Sequence, residues 1–410
     1  MRSAALVVVL ALAACAAPGA APAPAARRAV LDEVWETVRE RFYDPDLHGV
    51  DWAAARERAR PAAEDAEDEA AFARAVNGML RELGASHTAY FTRDDLAFYA
   101  LLELFWDGID EERRARFFPA GPPPLEGIGL LTEEVEGACF ARGVLAGSPA
   151  AAAGIVVGDR LVAVEGEPYR PVASFRGRAG RRTRVTLQRT RDPGSARELV
   201  LVPEALPPSA LFLRALWAGA TVVEREGQAL AVAHVWSYAG EAVQAALAEL
   251  LLDGPLAEAD GLVLDLRGGF GGANPEYLNL FRRDLAPVAF VDRAGTVHEV
   301  RTAWERPVVL LIDEGTSSGK ELLAHGFRRQ ARGPIVGARS AGAVLGGSAF
   351  LMADGSLVYL AVNDVLVDKE HLEGVGVAPD VEVRAERPYS GGVDVQLERA
   401  LAELARSLSE

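Results

Sequence analysis

The fold is decided by one stretch, Pro307-Val308-Val309-Leu310-Leu311-Ile312-Asp313-Glu314-Gly315-Thr316-Ser317-Ser318-Gly319-Lys320-Glu321. Its first half is a short apolar run bounded by proline and by acidic and glycine residues, which predicts a buried strand. Its second half turns into a helix that carries Leu322, Leu323 and Phe327. A hydroxyl at a strand-to-helix turn is well placed to attack a carbonyl, because the next amide and the helix N-terminus favour negative charge there. Ser318 is therefore a candidate nucleophile.

The same residues allow two other interpretations. Ser318 followed three residues later by Glu321 is typical of a capping box, which is worth about 1 kcal/mol to a helix. Ser317-Ser318-Gly319-Lys320 also contains the Ser-x-x-Lys of penicillin-recognising enzymes, with Ser317 as nucleophile. Those enzymes also need Ser-Asp-Asn and Lys-Thr-Gly motifs, and neither occurs in the sequence. A catalytic turn and a plain helix cap both stay open from these residues alone.

Strand and helix patterns alternate on both sides of this stretch. Strands are predicted over 229–235 and 261–266, a helix over 275–285, a strand at Ile335-Val336 and a closing helix over 393–407. Asp354-Gly355 between two apolar runs indicates a hairpin turn. This order predicts an α/β (α+β) domain over 206–410 with a partly parallel, mixed sheet.

A glycine-rich loop, Arg267-Gly268-Gly269-Phe270-Gly271-Gly272, follows the strand at 261–266. It lacks the Lys and Ser/Thr of a phosphate-binding P-loop and is not a dinucleotide fingerprint. Backbone amides at the carboxyl end of a strand serve an oxyanion equally well. The loop is therefore a candidate oxyanion site.

Composition limits the classes of function. The 410 residues are half hydrophobic and a quarter charged, enough for two or three globular domains. The net charge of −16 argues against nucleic-acid binding, which usually needs a basic stripe. Lysine occurs only at positions 320 and 369.

The N-terminus predicts export. Met1-Arg2 and the apolar stretch to Ala14 are typical of a secretory signal, too short to span a membrane stably. Leu12-Ala13-Ala14-Cys15 resembles a bacterial lipobox, so we expect a lipid on Cys15, a tether to residue 27 and attachment to the periplasmic face of the outer membrane. A plain signal peptide with an incidental cysteine is the alternative. Cys139 is the only other cysteine, which excludes an internal disulfide in the mature chain.

A helical domain is predicted over 28–118. Three helices are indicated by apolar periodicity, with Asp51 as cap of the second and Gly84 at the end of the third. Ser86-His87 follows the third helix. His87 is one of six histidines, and spacing alone gives it no preference.

A second domain is predicted over 125–205, after a Pro/Gly linker. Gly127-Ile128-Gly129-Leu130, Gly147-Ser148-Pro149-Ala150 and the stretch 153–164 resemble a PDZ domain, which is β-sandwich-like. That resemblance implies a loop, Gly127 to Leu130, whose amides bind the C-terminal carboxylate of a peptide that adds as a strand. The alternative is a PDZ domain that only packs against its neighbours and gates the active site.

Taken together, the chain resembles the C-terminal processing (tail-specific) serine peptidase family, with a catalytic sheet of ClpP/crotonase-like type. The resemblance implies that Ser318 is the nucleophile and that the amide of Gly319, with one from Gly271 or Gly272, forms the oxyanion hole. The family usually has Asn where Gly269 stands. The matching pieces are 265–272, 315–321, 336–340 and Gly374-Val375-Gly376-Val377-Ala378-Pro379-Asp380.

The lysine positions separate two branches of that family. The Ser/Lys branch has its base 25 residues after the nucleophile, where this chain has Ala343; Lys320 points to nearly the opposite side of the helix, and Lys369 matches no motif. The loop at 339–343 resembles the tricorn-type branch instead. That resemblance implies that His87 is the general base, with Ser86 bridging it to Glu373.

The implied function is a serine endopeptidase that cleaves exported proteins or peptides, without a metal or cofactor. A non-catalytic, ligand-binding protein on the same fold is the alternative, because retinoid-binding relatives reuse it and fold alone does not give function.

Overall fold

The computed structural model describes residues 24–284 and 288–409. The predicted signal, Cys15 and most of the tether lie outside these residues. Ten α-helices occur in the described ranges, α1 to α10 in chain order: Pro24–Arg41, Trp52–Glu64, Glu69–Arg81, Leu96–Leu104, Glu111–Phe117, Pro149–Ala152, Pro208–Gly219, Glu241–Leu252, Gly319–Arg329 and Val395–Ser409. None of these described helices is both long enough and apolar enough to cross a bilayer.

The described residues also form strands β1 to β21: Ala89–Phe91, Leu125–Gly127, Leu130–Val135, Ala138–Val144, Arg160–Val164, Glu167–Pro168, Thr183–Gln188, Ala196–Leu201, Glu204–Leu206, Thr221–Arg225, Gln228–His234, Gly261–Asp265, Val288–Val291, Val297–Val300, Val308–Ile312, Ile335–Gly337, Gly346–Leu351, Leu357–Asn363, Leu366–Val367, Glu370–His371 and Val381–Glu382. Short 3₁₀ helices lie at Leu47–Gly49, Trp106–Gly108, Ala173–Phe175, Pro193–Ser195 and Pro275–Phe281.

The chain forms two compact units. Among the described residues, the first contains 24–211 together with Ala343–Gly374 and Arg387–Gly392, and the second contains those of Phe212–Gly342, Val375–Glu386 and 393–409. Each unit therefore combines segments that are distant in sequence. The domain boundaries derived from the sequence stay predictions.

In the first unit, the helices α1, α2 and α3 share an apolar core with a small antiparallel sheet. The sheet has the order β1-β18-β17, and α1 and α3 pack against it. Leu31, Val34 and Val38 of α1 are fully buried, as their helical spacing predicts. The carboxylate of Asp51 accepts a hydrogen bond from Ala54 N, which confirms the predicted N-cap of α2.

The rest of the first unit includes an antiparallel sheet of the order β3-β4-β5-β7-β8, with β6 paired to β5. Its core contains Ile128, Phe175 and Leu187. This sheet corresponds to the predicted PDZ domain.

The second unit is built on a sheet of the order β10-β11-β12-β15-β16-β21. All neighbouring pairs are parallel except β10 and β11, which confirms the predicted partly parallel sheet. Apolar clusters cover both faces: Leu262 and Leu264 face one that includes α8 and α9, and Val263 faces one that includes α10. Because these strands are buried on both faces, their sequences are continuous apolar runs and do not alternate between apolar and polar residues.

One predicted element differs in detail, and a predicted turn is confirmed. The helix predicted over 275–285 is a 3₁₀ helix, Pro275–Phe281, and residue 285 lies outside the described residues. A three-residue repeat places Leu278 and Phe281 on the same side, and both are buried. The predicted hairpin is confirmed: Asp354 and Gly355 lie in the turn between the antiparallel strands β17 and β18.

Candidate active site

The nucleophile candidate lies at a strained turn between β15 and α9. Ser318 has φ 57° and ψ −132°, a region that is almost restricted to glycine and costs about 1–3 kcal/mol for other residues. Hydrogen bonds hold the turn: Asp313 Oδ1 accepts from Gly315 N at 2.9 Å, and Thr316 Oγ1 donates to Leu266 O at 3.0 Å. The side chain of Ser318 is half-buried. The turn thus presents a hydroxyl at the N-terminus of a helix.

Glu321 links this turn to the loop after β16. Its Oε2 accepts from Ser318 N at 3.2 Å, and its Oε1 accepts from Ser340 Oγ at 2.6 Å and from Gly342 N at 2.7 Å. Ser340 Oγ in turn accepts from Val377 N at 2.6 Å. The glutamate half of the capping box is therefore present, and it fixes the backbone of the candidate nucleophile. The local sequence pattern indicates only a helix cap for Glu321.

The backbone of Gly271 comes close to the turn. A Cβ on Gly271 would lie 2.6 Å from Ser318 Cβ and 3.1 Å from Gly319 N. A Cβ on Gly272, whose φ is +90°, would instead meet Ala239. Gly271 is thus the glycine that packs against Ser318, and its backbone lies beside the amide of Gly319. Backbone amides from two such neighbouring segments are the usual donors of an oxyanion hole.

The loop before Gly271 has a conformation that only glycine adopts easily. Gly268 and Gly269 have φ of +55° and +67°, and a Cβ on Gly269 would lie 1.8 Å from Trp236 O. Trp236 O accepts from Phe270 N at 2.8 Å. The asparagine that is usual in the family at position 269 therefore does not fit this backbone.

A hydrogen-bonded chain in the first unit joins Glu373, Ser86 and His87. Ser86 Oγ donates to Glu373 Oε2 at 2.9 Å, and Ser86 Oγ and His87 Nδ1 are 2.9 Å apart. Since that hydroxyl proton goes to the carboxylate, Ser86 Oγ accepts from Nδ1–H. Nε2 of His87 then carries the lone pair that a general base needs.

The surroundings keep this chain in place. Glu373 also accepts from Ser86 N at 2.9 Å and from Val344 N at 2.8 Å, so three donors hold its carboxylate. The ring of Tyr359 lies 5.1 Å from that of His87. Burial lowers the pKa of His87 from 6.5 to about 4, because desolvation disfavours the imidazolium. Neutral imidazole is the form that accepts a proton.

The remaining predicted residues are placed as follows. Ile128 and Leu130 are buried, and Gly129 has φ +77° with Ser148 directly against it. Ile128 O accepts from Ala150 N, which fixes the loop to α6. Lys369 is exposed in the turn between β19 and β20. Among residues 24–284 and 288–409, no group of three or more His, Cys, Asp or Glu side chains is arranged to hold a metal ion.

Three family models match the chain: Peptidase family S41 over residues 229–383, the tricorn protease C1 domain over 23–81 and a PDZ domain over 140–189. The chain is 28% identical to the "Putative tricorn protease homolog 2" of Streptomyces coelicolor, over 88% of this chain and 30% of that protein. It is 26% identical to the "Carboxyl-terminal-processing protease" of Synechocystis sp., over 91% of this chain and 85% of that protein. It thus spans less than a third of the first relative and most of the second.

The fold is also similar to that of a solved structure. The "Crystal structure of the tricorn protease" aligns with a TM-score of 0.56 and 18% identity, over 94% of this chain and 37% of that chain. The likeness shows the fold.

Proposed function

We propose that the chain is a serine endopeptidase that cleaves polypeptides, on the premise that residues 229–383 match the model of peptidase family S41. The observation that carries this proposal is the strained turn at Ser318, where the backbone of Gly271 packs against the serine beside the amide of Gly319. Strain at a half-buried serine between a buried strand and a helix is costly for a plain helix cap. It is common at catalytic nucleophiles.

The proposed reaction has two halves. Ser318 Oγ attacks the carbonyl carbon while Nε2 of His87 takes the hydroxyl proton, and the amides of Gly271 and Gly319 bind the oxyanion. The imidazolium then gives its proton to the leaving amine, and the C–N bond breaks. Water repeats the attack on the ester and releases the acid, with His87 again as base. Glu373, through Ser86, fixes the tautomer of His87 and stabilises its cation.

The decisive experiment compares two neighbouring serines. Ser318→Ala should abolish hydrolysis of casein and labelling by a fluorophosphonate, because both need the nucleophilic hydroxyl. Ser317→Ala, which removes the buried hydroxyl next to it, is the matched control and should retain both. Loss of labelling in Ser317→Ala alone would assign the nucleophile to Ser317. A wild type that neither cleaves nor reacts would contradict the proposal and leave the ligand-binding alternative.

We also propose that the protein is an exported lipoprotein anchored at the periplasmic face of the outer membrane, where its substrates would be exported proteins or peptides. Support comes from the lipobox-like Leu12-Ala13-Ala14-Cys15. One acyl chain binds a membrane only marginally, so stable attachment needs the several chains of a bacterial lipoprotein.

Cell fractionation with a radiolabelled fatty acid tests this anchor. Wild type and Cys139→Ser, which alters the buried cysteine, should carry label and sediment with membranes. Cys15→Ala should carry none. Unlabelled wild type in the soluble periplasmic fraction would overturn the lipid anchor.

A further inference from the structure

Lys320 is a buried cation that the proposed reaction does not use. It follows Gly319 at the start of α9, and its side chain has no exposed surface. An ammonium group that is removed from water is strongly destabilising unless polar groups solvate it. Its contacts therefore indicate why a lysine is tolerated here.

The ammonium contacts the glycine-rich loop. Nζ donates to Gly268 O at 2.9 Å and to Trp236 O at 3.0 Å. The peptide of Gly268 is held on its other side as well, because Gly268 N donates to Asp313 Oδ1 at 2.9 Å. Asp313 and Lys320 flank the turn that carries Ser318. Two side chains of the nucleophile turn thus hold one residue of the oxyanion loop.

The carbonyl of Trp236, the second acceptor of Lys320, extends these contacts toward Gly271. Trp236 O accepts from Phe270 N as well as from Lys320, and Tyr238 N donates to the carbonyls of Phe270 and Gly271. Gly268 and Gly269 have positive φ, a conformation that is readily accessible to glycine but is not imposed by it. The loop therefore depends on external contacts to keep Gly271 against Ser318.

We propose that Lys320 is a positioning residue for the oxyanion hole: its ammonium fixes the loop 268–272 so that the Gly271 amide faces the carbonyl attacked by Ser318. The inference rests on the proposed peptidase function. It concerns the transition state, since an oxyanion donor binds the charge that develops there more strongly than the substrate carbonyl. Loss of the ammonium should therefore lower kcat and leave KM nearly unchanged.

The first test is Lys320→Met, which keeps the length of the side chain and removes the charge. Lys369→Met, at an exposed turn, is the matched control. We expect kcat per fluorophosphonate-reactive site to fall about 100-fold in Lys320→Met with KM within about threefold, and no change in the control. A kcat per reactive site within threefold of wild type, or a loss confined to KM, would overturn the proposal.

The second test uses the wild type and does not depend on the folding of a variant. With only two lysines in the chain, ¹⁵N-lysine labelling gives two side-chain signals. A peptidyl boronate that forms a tetrahedral adduct on Ser318 should shift the Nζ signal of Lys320 and leave that of Lys369 in place. Inhibition by the boronate without a shift at Lys320 would contradict the proposal. A wild type that neither hydrolyses peptides nor binds the boronate would instead contradict the peptidase function itself.

Discussion

Ser86 donates its hydroxyl proton to Glu373 across 287 positions of sequence, at 2.9 Å. The same glutamate accepts from the amide of Ser86 at 2.9 Å, so the two residues are joined twice. The hydroxyl of Ser86 thereby connects the carboxylate of Glu373 to the imidazole of His87 by hydrogen bonds. Because its own proton goes to Glu373, it accepts from Nδ1–H of His87 and so determines which ring nitrogen carries the proton. The strength of this arrangement can be measured residue by residue.

His87→Ala should reduce kcat by about 10³-fold or more, because the nucleophile cannot attack efficiently unless the base takes its proton. Ser86→Ala and Glu373→Gln should be milder, about 10- to 100-fold, since these residues orient the imidazole and do not move the proton. Steady-state kinetics on a chromogenic peptide measure each loss. The kcat of the double variant Ser86→Ala/Glu373→Gln should equal that of the less active single variant, because both changes break the same hydrogen-bonded chain. Additive losses would show that the two residues act separately.

The pH profile should reflect the burial of His87. The sequence alone predicts an acid limb near the ordinary histidine pKa of about 6–7. Burial lowers the pKa to about 4, and the base works only when it is neutral. Activity should therefore persist below pH 6 and fall as the pH drops through the lowered pKa. An acid limb that stays between 6 and 7 for kcat/KM would contradict the burial of the imidazole.

Admitting water around His87 should shift the acid limb of the pH–activity profile. Tyr359 packs beside the imidazole, and its own pKa is raised by burial. Tyr359→Ala admits water, which stabilises the imidazolium, so the acid limb should shift upward toward the ordinary value. Tyr359→Phe keeps the ring and should retain the wild-type profile. Circular dichroism at each pH separates titration from acid unfolding.

Gly271→Ala should damage the oxyanion hole by sterics alone. The added Cβ would lie 2.6 Å from Ser318 Cβ, closer than real contacts allow, and the φ of Gly271 is not positive. We expect kcat to fall at least about 100-fold with little change in KM. Gly108→Ala is the matched control, because its Cβ would meet nothing within 4 Å. Equal kcat for Gly271→Ala and wild type would remove Gly271 from the oxyanion hole.

Local patterns predicted much of the second unit. The strand Val308–Ile312, the turn and α9 follow from neighbouring residues, and the glycine loop follows the strand before it. Which glycine packs against Ser318 could not be predicted, because the approach depends on backbone contacts with residues 236–239.

Long-range relations were harder to predict from the residues themselves. Spacing alone could not distinguish His87 from the five other histidines as the candidate general base. Only the family resemblance selected it. The pairing of β18 with β1 joins residues about 270 positions apart, and no local signal encodes it. The role of Asp313, which holds both Gly268 and Gly315, is equally absent from the local pattern. An acidic residue at a strand end, facing a glycine loop after the neighbouring strand, is the signal that could have found it.

The loop Gly127-Ile128-Gly129-Leu130 allows a final test, of whether the PDZ domain captures substrate tails. If it does, amidation of a peptide's C-terminus removes the carboxylate, and the loss of a charged hydrogen bond costs about 1–3 kcal/mol. That loss should appear as roughly a 5- to 150-fold higher KM with kcat unchanged, since the domain stands outside the chemistry.

Gly129→Ala should abolish the discrimination between the two peptides. Its φ is +77°, and a Cβ there would lie 2.3 Å from Ser148 Cβ, so the loop must shift and its amides lose their alignment. Gly137→Ala, at another positive-φ turn of the same sheet but in open space, controls for the backbone penalty alone. KM should rise for the free peptide in Gly129→Ala and stay near wild type in Gly137→Ala. Equal KM for free and amidated peptides with the wild type would leave the domain with a packing or gating role.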